Sequence, residues 1–356
     1  MRTGHKPSRP VVVASSSLSR TLLLLALVVI LCYLSARLGG LLVLRPQMVW
    51  PLWPGCALLV GVLLLSPDRT WPMLITGGLA GFVIYDLQAG LPLRSIALLI
   101  LSDVIEVSIA ALGVRYAFGG LPRLGTVGAL SRYVFIAVIL VPAIAASVGA
   151  LAGGGIYWTT WRVSYFTEAL ALLTLTPAIL SWSHTLGTWE TTRSHRYYAE
   201  GIALMAGLVL WGYFLFEAIG HEVSSALLYS LLPFLLWSAL RFGLTGITTS
   251  MVLVAFLSIW GAVHGRGPFA RSDPFQSVQA LQLFLFSAAT PLLYLAALVE
   301  EQRETAQAGR ESEGRFRLVA NAAPVLIWMS DASKQCNYFN LRWLEFTGRS
   351  LNEELG

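Results

Sequence analysis

The stretch Ser95-Ile-Ala-Leu-Leu-Ile-Leu-Ser-Asp103-Val-Ile-Glu106-Val-Ser-Ile-Ala-Ala-Leu-Gly-Val-Arg115-Tyr-Ala-Phe118 decides the fold. It is apolar almost throughout, contains no proline, and is about as long as the roughly 20 residues that a helix needs to cross the hydrocarbon core of a bilayer. Asp103 and Glu106 interrupt it at a spacing of three, which puts both carboxyl groups on one helix face. Charge inside a membrane is costly, so each such residue asks for a partner or a purpose.

The same pattern recurs in both directions. Apolar segments of comparable length run over 18–36, 49–65, 71–87, 131–152, 165–182, 201–219, 224–239, 244–263 and 276–299, which makes ten candidate spans in all. Those over 49–65 and 224–239 are short enough to be re-entrant or strongly buried, so eight spans is the alternative. Composition agrees: charged residues are 12% of the chain, about half of the roughly 25% of a soluble domain. Hydrophobic residues make up 56%, and mean hydropathy is +0.68. This excess exceeds what a soluble core can bury, and lipid is its natural solvent. The expected class is an all-α polytopic membrane bundle of about eight to ten helices.

Charges are sparse from Gly201 to Val299 (Glu217, Glu222, Arg241, Arg266, Arg271 and Asp273) and crowd in from Glu300 onward. This places a boundary at Val299/Glu300. The expected organisation is a cytoplasmic segment 1–17, a membrane domain 18–299, a helical linker 300–315 and a partial globular unit 316–356. Net charge of +5 would point to nucleic acid in a soluble protein. Here Lys and Arg sit in short loops and set topology, with no basic face outside the membrane region, so nucleic-acid binding is not expected. With ten spans, Arg2, Lys6, Arg9, Arg20, Arg69, Arg115, Arg123, Arg132, Arg193, Arg196 and Arg241 fall inside. They outnumber Arg37, Arg45, Arg94, Arg162, Arg266 and Arg271 outside. The bias predicts both termini in the cytoplasm. The basic, then apolar, amino terminus lacks a small-x-small cleavage site and reads as a retained first span.

Cys32, Cys56 and Cys336 form no pair by spacing, and the five histidines are scattered; His184 and His195 share a loop but find no third ligand. No zinc, redox or other cofactor motif emerges from spacing. Gly77 with Gly81, and Gly149 with Gly153, predict close backbone packing between helices. After Val299 the chain has helix formers and no breaker, so the last span continues as a stalk. A 3-4 seam over 295–319 with a polar middle reads as a weak coiled coil able to pair two copies, or as a solvated rod. Beyond it, Phe316 to Ala322 reads as a short helix and Val325 to Met329 as a strand. A turn at Asp331 to Lys334, a second strand over 336–340 and a helix over 342–347 follow.

Two stretches resemble known families. Val49-Trp50-Pro51 with Pro54-Gly55, Trp71-Pro72, Leu236-Trp-Ser-Ala-Leu-Arg-Phe-Gly243, Gly265-Arg-Gly-Pro-Phe269 and Leu281-Gln282 together resemble the MASE1 family of bacterial membrane-associated sensor domains. The tail resembles the start of a PAS domain through Phe316-Arg-Leu-Val-Ala-Asn-Ala-Ala-Pro324, Ile327-Trp328-Met329, Asn340 and Trp343-Leu-Glu-Phe-Thr-Gly348. The later PAS strands are not in the sequence, so this tail is expected to be poorly packed and the chain to be a truncated sensor. The resemblance implies a sensory input module in the inner membrane, most often joined to a histidine kinase and otherwise to a diguanylate cyclase. No phosphate-cradling loop or nucleotide fingerprint is found in these residues.

The candidate ligand-binding residues are Asp86, Asp103, Glu106, Glu168 and Arg241, read as a polar pocket between helices for a cationic or hydrogen-bonding ligand. Interhelical glue is the competing reading. Trp50, Trp53 and Trp71 read as interface anchors, and Pro142, Pro177, Pro233 and Pro291 as kinks. A secondary transporter fits ten spans with buried acids but has little use for a stalk and a PAS start. A scaffold docking another membrane protein is a third reading.

Overall fold

The computed structural model describes residues 15–45, 49–152, 156–187, 194–218, 225–270 and 273–354, with side chains from Thr21 onward. Gly153, Arg193, Arg271 and the segment carrying Arg2, Lys6 and Arg9 lie outside the described residues. The chain divides into two compact units, Met1–Val299 and Glu300–Gly356.

The first unit is built of helices: α1 (Ser15–Leu41), α2 (Pro54–Leu65), α3 (Trp71–Gln88), α4 (Leu93–Phe118), α5 (Val127–Tyr133), α6 (Val141–Gly149), α7 (Tyr157–Gly187), α8 (His195–Tyr213), α9 (Leu232–Val263) and the start of α10 (Pro274–Ala322). A π-helical stretch, Val134–Leu140, joins α5 to α6 as one body. Among the described residues seven helices are long and apolar enough to cross a membrane. They leave large apolar side chains facing outward: on α1 alone, Leu23 is 71% and Leu27 59% exposed. Such a surface is stable only against lipid, and the protein is a multi-pass membrane bundle.

The two short candidate spans behave differently. α2 has only 12 residues and is buried on nearly every side, with Cys56, Ala57, Leu59, Val60 and Leu63 inaccessible. It is a core helix in contact with α1, α3, α4 and α7. The expected break between residues 239 and 244 is present: α9 is two helical arms that meet at Gly243, with φ 63° and ψ −148°. Only glycine visits that backbone region without strain. Ser250 Oγ donates to Ser238 Oγ at 2.8 Å across the bend, which ties the two halves together.

Packing of α1 on α3 runs through glycine, as expected for Gly77 and Gly81. A Cβ on Gly81 would stand 2.6 Å from the Val29 carbonyl and 2.9 Å from the Tyr33 amide nitrogen. Both are backbone atoms, and neither can give way.

In the second unit the helix expected at Phe316 to Ala322 is not separate. α10 continues to Ala322 because nothing breaks it before Pro324. Strands β1 (Trp328–Ser330) and β2 (Cys336–Phe339) pair antiparallel, and α11 (Leu341–Thr347) and α12 (Leu351–Glu354) follow. β1 is shorter than the run 325–329 read from the sequence. Trp328, Met329 and Phe346 remain exposed, as befits a two-stranded sheet.

Candidate functional site

α4 carries Asp103 and Glu106 one turn apart, and they face two other helices. α2 contributes Cys56 from its first turn, and α7 contributes Glu168. One ligand atom each from Cys56, Glu106 and Glu168 lies within 4.8 Å of the others. The Cys56 thiol donates to Asp103 Oδ1 at 3.3 Å. Cys56 is fully buried and Glu106 is 1% exposed. Glu106 Oε1 and Glu168 Oε2 are buried, and no donor among the described residues reaches them. The two carboxyl groups can relieve one another only by sharing a proton or by taking up a cation.

The local fold explains why these groups converge. α2 begins at Pro54, and its first turn carries the Cys56 thiol to Asp103 on α4. Its far end is held from α4: Arg115 Nη2 donates to Ser66 O at 2.7 Å and pairs with Asp68 at 3.1 Å. Trp71 Nε1 donates to Leu63 O at 2.9 Å, and the Arg115 guanidinium lies 5.3 Å from the Trp71 ring centre. Carbonyls at the end of α2 are thereby satisfied, and the helix is fixed lengthwise.

At the near end, Thr167 Oγ1 donates to Trp50 O at 2.6 Å. Gln282 on α10 donates through Nε2 to Pro51 O and to Thr167 Oγ1, both at 3.1 Å. Gln282 is 2% exposed. The last apolar helix is therefore tied to the chain entering α2 and to the residue next to Glu168.

Of the five ligand-binding residues expected from sequence, the structure brings together Asp103, Glu106 and Glu168. Asp86 is buried on α3, within electrostatic range of Asp103. Arg241 is elsewhere: it pairs with Glu200 at 2.6 Å and lies 5.7 Å from the Tyr197 ring centre, both on or beside α8. Trp50 keeps its ring nitrogen buried and unpaired, while Trp53 leans on Phe82 and Tyr85 with ring centres 6.2 Å apart. Trp71 is a buried clamp. Sequence reasoning missed Cys56, whose neighbours in space lie far along the chain and leave no spacing motif.

A family model, MASE1, matches residues 23–303. Among curated proteins, the uncharacterized protein y4lL of Sinorhizobium fredii (strain NBRC 101917 / NGR234) is 36% identical over 58 residues, which are 16% of this chain and 7% of that protein. The chain thus covers a small part of that relative's length. No solved structure matches.

Proposed function

The chain belongs to the MASE1 family, a membrane-associated sensory input domain of signalling proteins, and on that premise we propose that it serves a histidine kinase of two-component signalling. A diguanylate cyclase is the alternative output. In this reading the bundle sits in the cell inner membrane with both termini in the cytoplasm, a sense that the Lys and Arg distribution supports. The stimulus acts at the polar cluster of Asp103, Glu106 and Glu168, and two copies pair through the helix over 295–319. The tail from residue 316 begins a PAS domain.

The observation that carries the reading is the hydrogen bonding of Gln282. Its amide joins α10 to Pro51 and Thr167, so a rearrangement beside Glu168 changes the bonds that hold α10. A ligand with different affinity for two arrangements of that contact shifts the population of α10 positions. The test is a fusion of residues 1–312 to a histidine kinase output in membrane vesicles, read by autophosphorylation. Glu106→Gln and Gln282→Leu are each expected to lock the activity at one level across stimuli that move the parent fusion. A parent fusion that keeps one activity under every condition counts against signalling.

A further inference from the structure

We propose that Cys56, Glu106 and Glu168 bind a divalent transition-metal ion of the zinc type, with Asp103 positioning the thiol. This rests on the sensory reading above and names the class of stimulus for the same site. Donor geometry is the first support. In a tetrahedral site, bonds of about 2.3 Å to sulfur and about 2.0–2.2 Å to carboxylate oxygen place two ligand atoms of one ion roughly 3.4–3.6 Å apart. The three atoms, within 4.8 Å of one another, close on one tetrahedral ion by drawing in by no more than roughly 1.4 Å. An ammonium held by three acceptors at about 2.8–2.9 Å sets them about 4.7 Å apart, so the thiol among the donors, and not the spacing, is what favours a metal ion.

Donor chemistry narrows the ion. A thiolate with carboxylates suits zinc and its neighbours in the first transition row. Calcium takes about six to eight oxygens and magnesium demands an octahedron of them. The orphaned oxygen of Glu106 is the second, independent support. It belongs to a side chain almost wholly withdrawn from solvent, and an acceptor with no donor is what a cation satisfies. Charge also balances closely: a thiolate and two carboxylates leave one negative charge on a bound dication. The thiol proton has an acceptor in Asp103 Oδ1, 3.3 Å from the sulfur. The competing arrangement is a proton shared by Glu106 and Glu168 with no metal.

The experiment uses the full chain, purified in detergent and stripped of metal, with Co2+ and then Zn2+ as probes. The expected result is one Co2+ per chain with a near-ultraviolet sulfur-to-cobalt band, displaced by Zn2+. Cys56→Ser abolishes the band and weakens binding by more than about tenfold, and Asp103→Asn, which only positions the thiol, weakens it by roughly 10- to 100-fold. Glu106→Gln removes stoichiometric binding. Should Glu106→Gln fail to elute as a single species, the band in Cys56→Ser alone decides. A folded parent chain that takes up no stoichiometric metal, or takes it up equally in Cys56→Ser and Glu106→Gln, overturns the proposal in favour of the shared proton. Binding with an unresponsive kinase fusion upholds the metal site and removes the sensory reading; a responsive fusion without binding does the reverse.

Discussion

Asn340 in the tail and Glu106 in the bundle are both polar side chains withdrawn from solvent, at 0% and 1% exposure. Asn340 has its whole amide engaged. Oδ1 accepts from the Ile327 and Trp343 amides at 3.0 and 3.1 Å. Nδ2 donates to the Ala320 and Val325 carbonyls at 2.8 and 2.9 Å. Glu106 holds an oxygen that no described donor reaches. A buried polar group whose partners are all intramolecular holds the fold together, and one left wanting is a place where something else binds. The two positions therefore make opposite forecasts when the side chain is removed.

The largest effect is expected for Asn340→Ala. It strands the buried Ala320 carbonyl and the part-buried Ile327 amide, at about 1–3 kcal/mol for each one left unsatisfied, while the Trp343 amide keeps the Asn340 carbonyl. The unit Glu300–Gly356 should lose roughly 3 kcal/mol of local stability, read as hydrogen-exchange protection of the Ile327 amide. Protection unchanged from the parent would break the comparison on its structural side. Gln282→Leu comes next, since it orphans Pro51 O and removes a donor to Thr167. A loss of about 2 kcal/mol should lower the thermal midpoint of the bundle in detergent. Glu106→Leu carries the opposite sign. Replacing a poorly satisfied buried acid by an apolar group of similar size should stabilise by about 1 kcal/mol, so the midpoint should rise while metal uptake is lost. A midpoint that falls instead would make Glu106 a structural residue like Asn340.

Much of this is legible in the sequence. Lipid-facing spans announce themselves by length and hydropathy because every residue of such a helix meets an apolar medium, whichever way it points. Gly77 and Gly81 foretold close helix packing by their four-residue spacing, and the fold supplies α1 as the partner. Asp103 and Glu106 were visible as charges that lipid would not tolerate. Cys56 was not, because a thiol in an apolar run looks like any small core residue and its meaning comes only from α4 and α7 folding onto α2. The break at Gly243 was legible as the gap between the spans over 224–239 and 244–263, because Arg241 interrupts the apolar run there; that the two arms pair across it through Ser238 and Ser250 was not. Arg241 likewise looked like a partner for buried acids. Only the fold assigns it to Glu200.

Asp331 gives the finest test of the same contrast, because it is a carboxylate with its partners supplied. Its Oδ1 accepts from Ser333 Oγ at 2.6 Å and from the Ser333 and Gln335 amides at 2.8 and 3.1 Å. These bonds, the Ser333 hydroxyl first, hold the carboxyl below its usual range, since they favour the ionised form. The sign then follows. A carboxyl with a lowered value in the folded state stabilises the turn above the ordinary value of about 3.9, and the contribution is lost as pH falls through the lowered one. The turn between β1 and β2 should therefore loosen only in acid. The Asp331 carboxyl carbon and the Ser333 and Gln335 amide protons should shift together in an NMR titration, below the ordinary carboxylate value of about 3.9. In Asp331→Asn the amide shifts should cease to depend on pH in that window. A carboxyl titrating at or above the ordinary value would mean that the three donors do not hold it. The distinction between a satisfied acid in the tail and an unsatisfied one in the bundle would then lose its clearest exposed example.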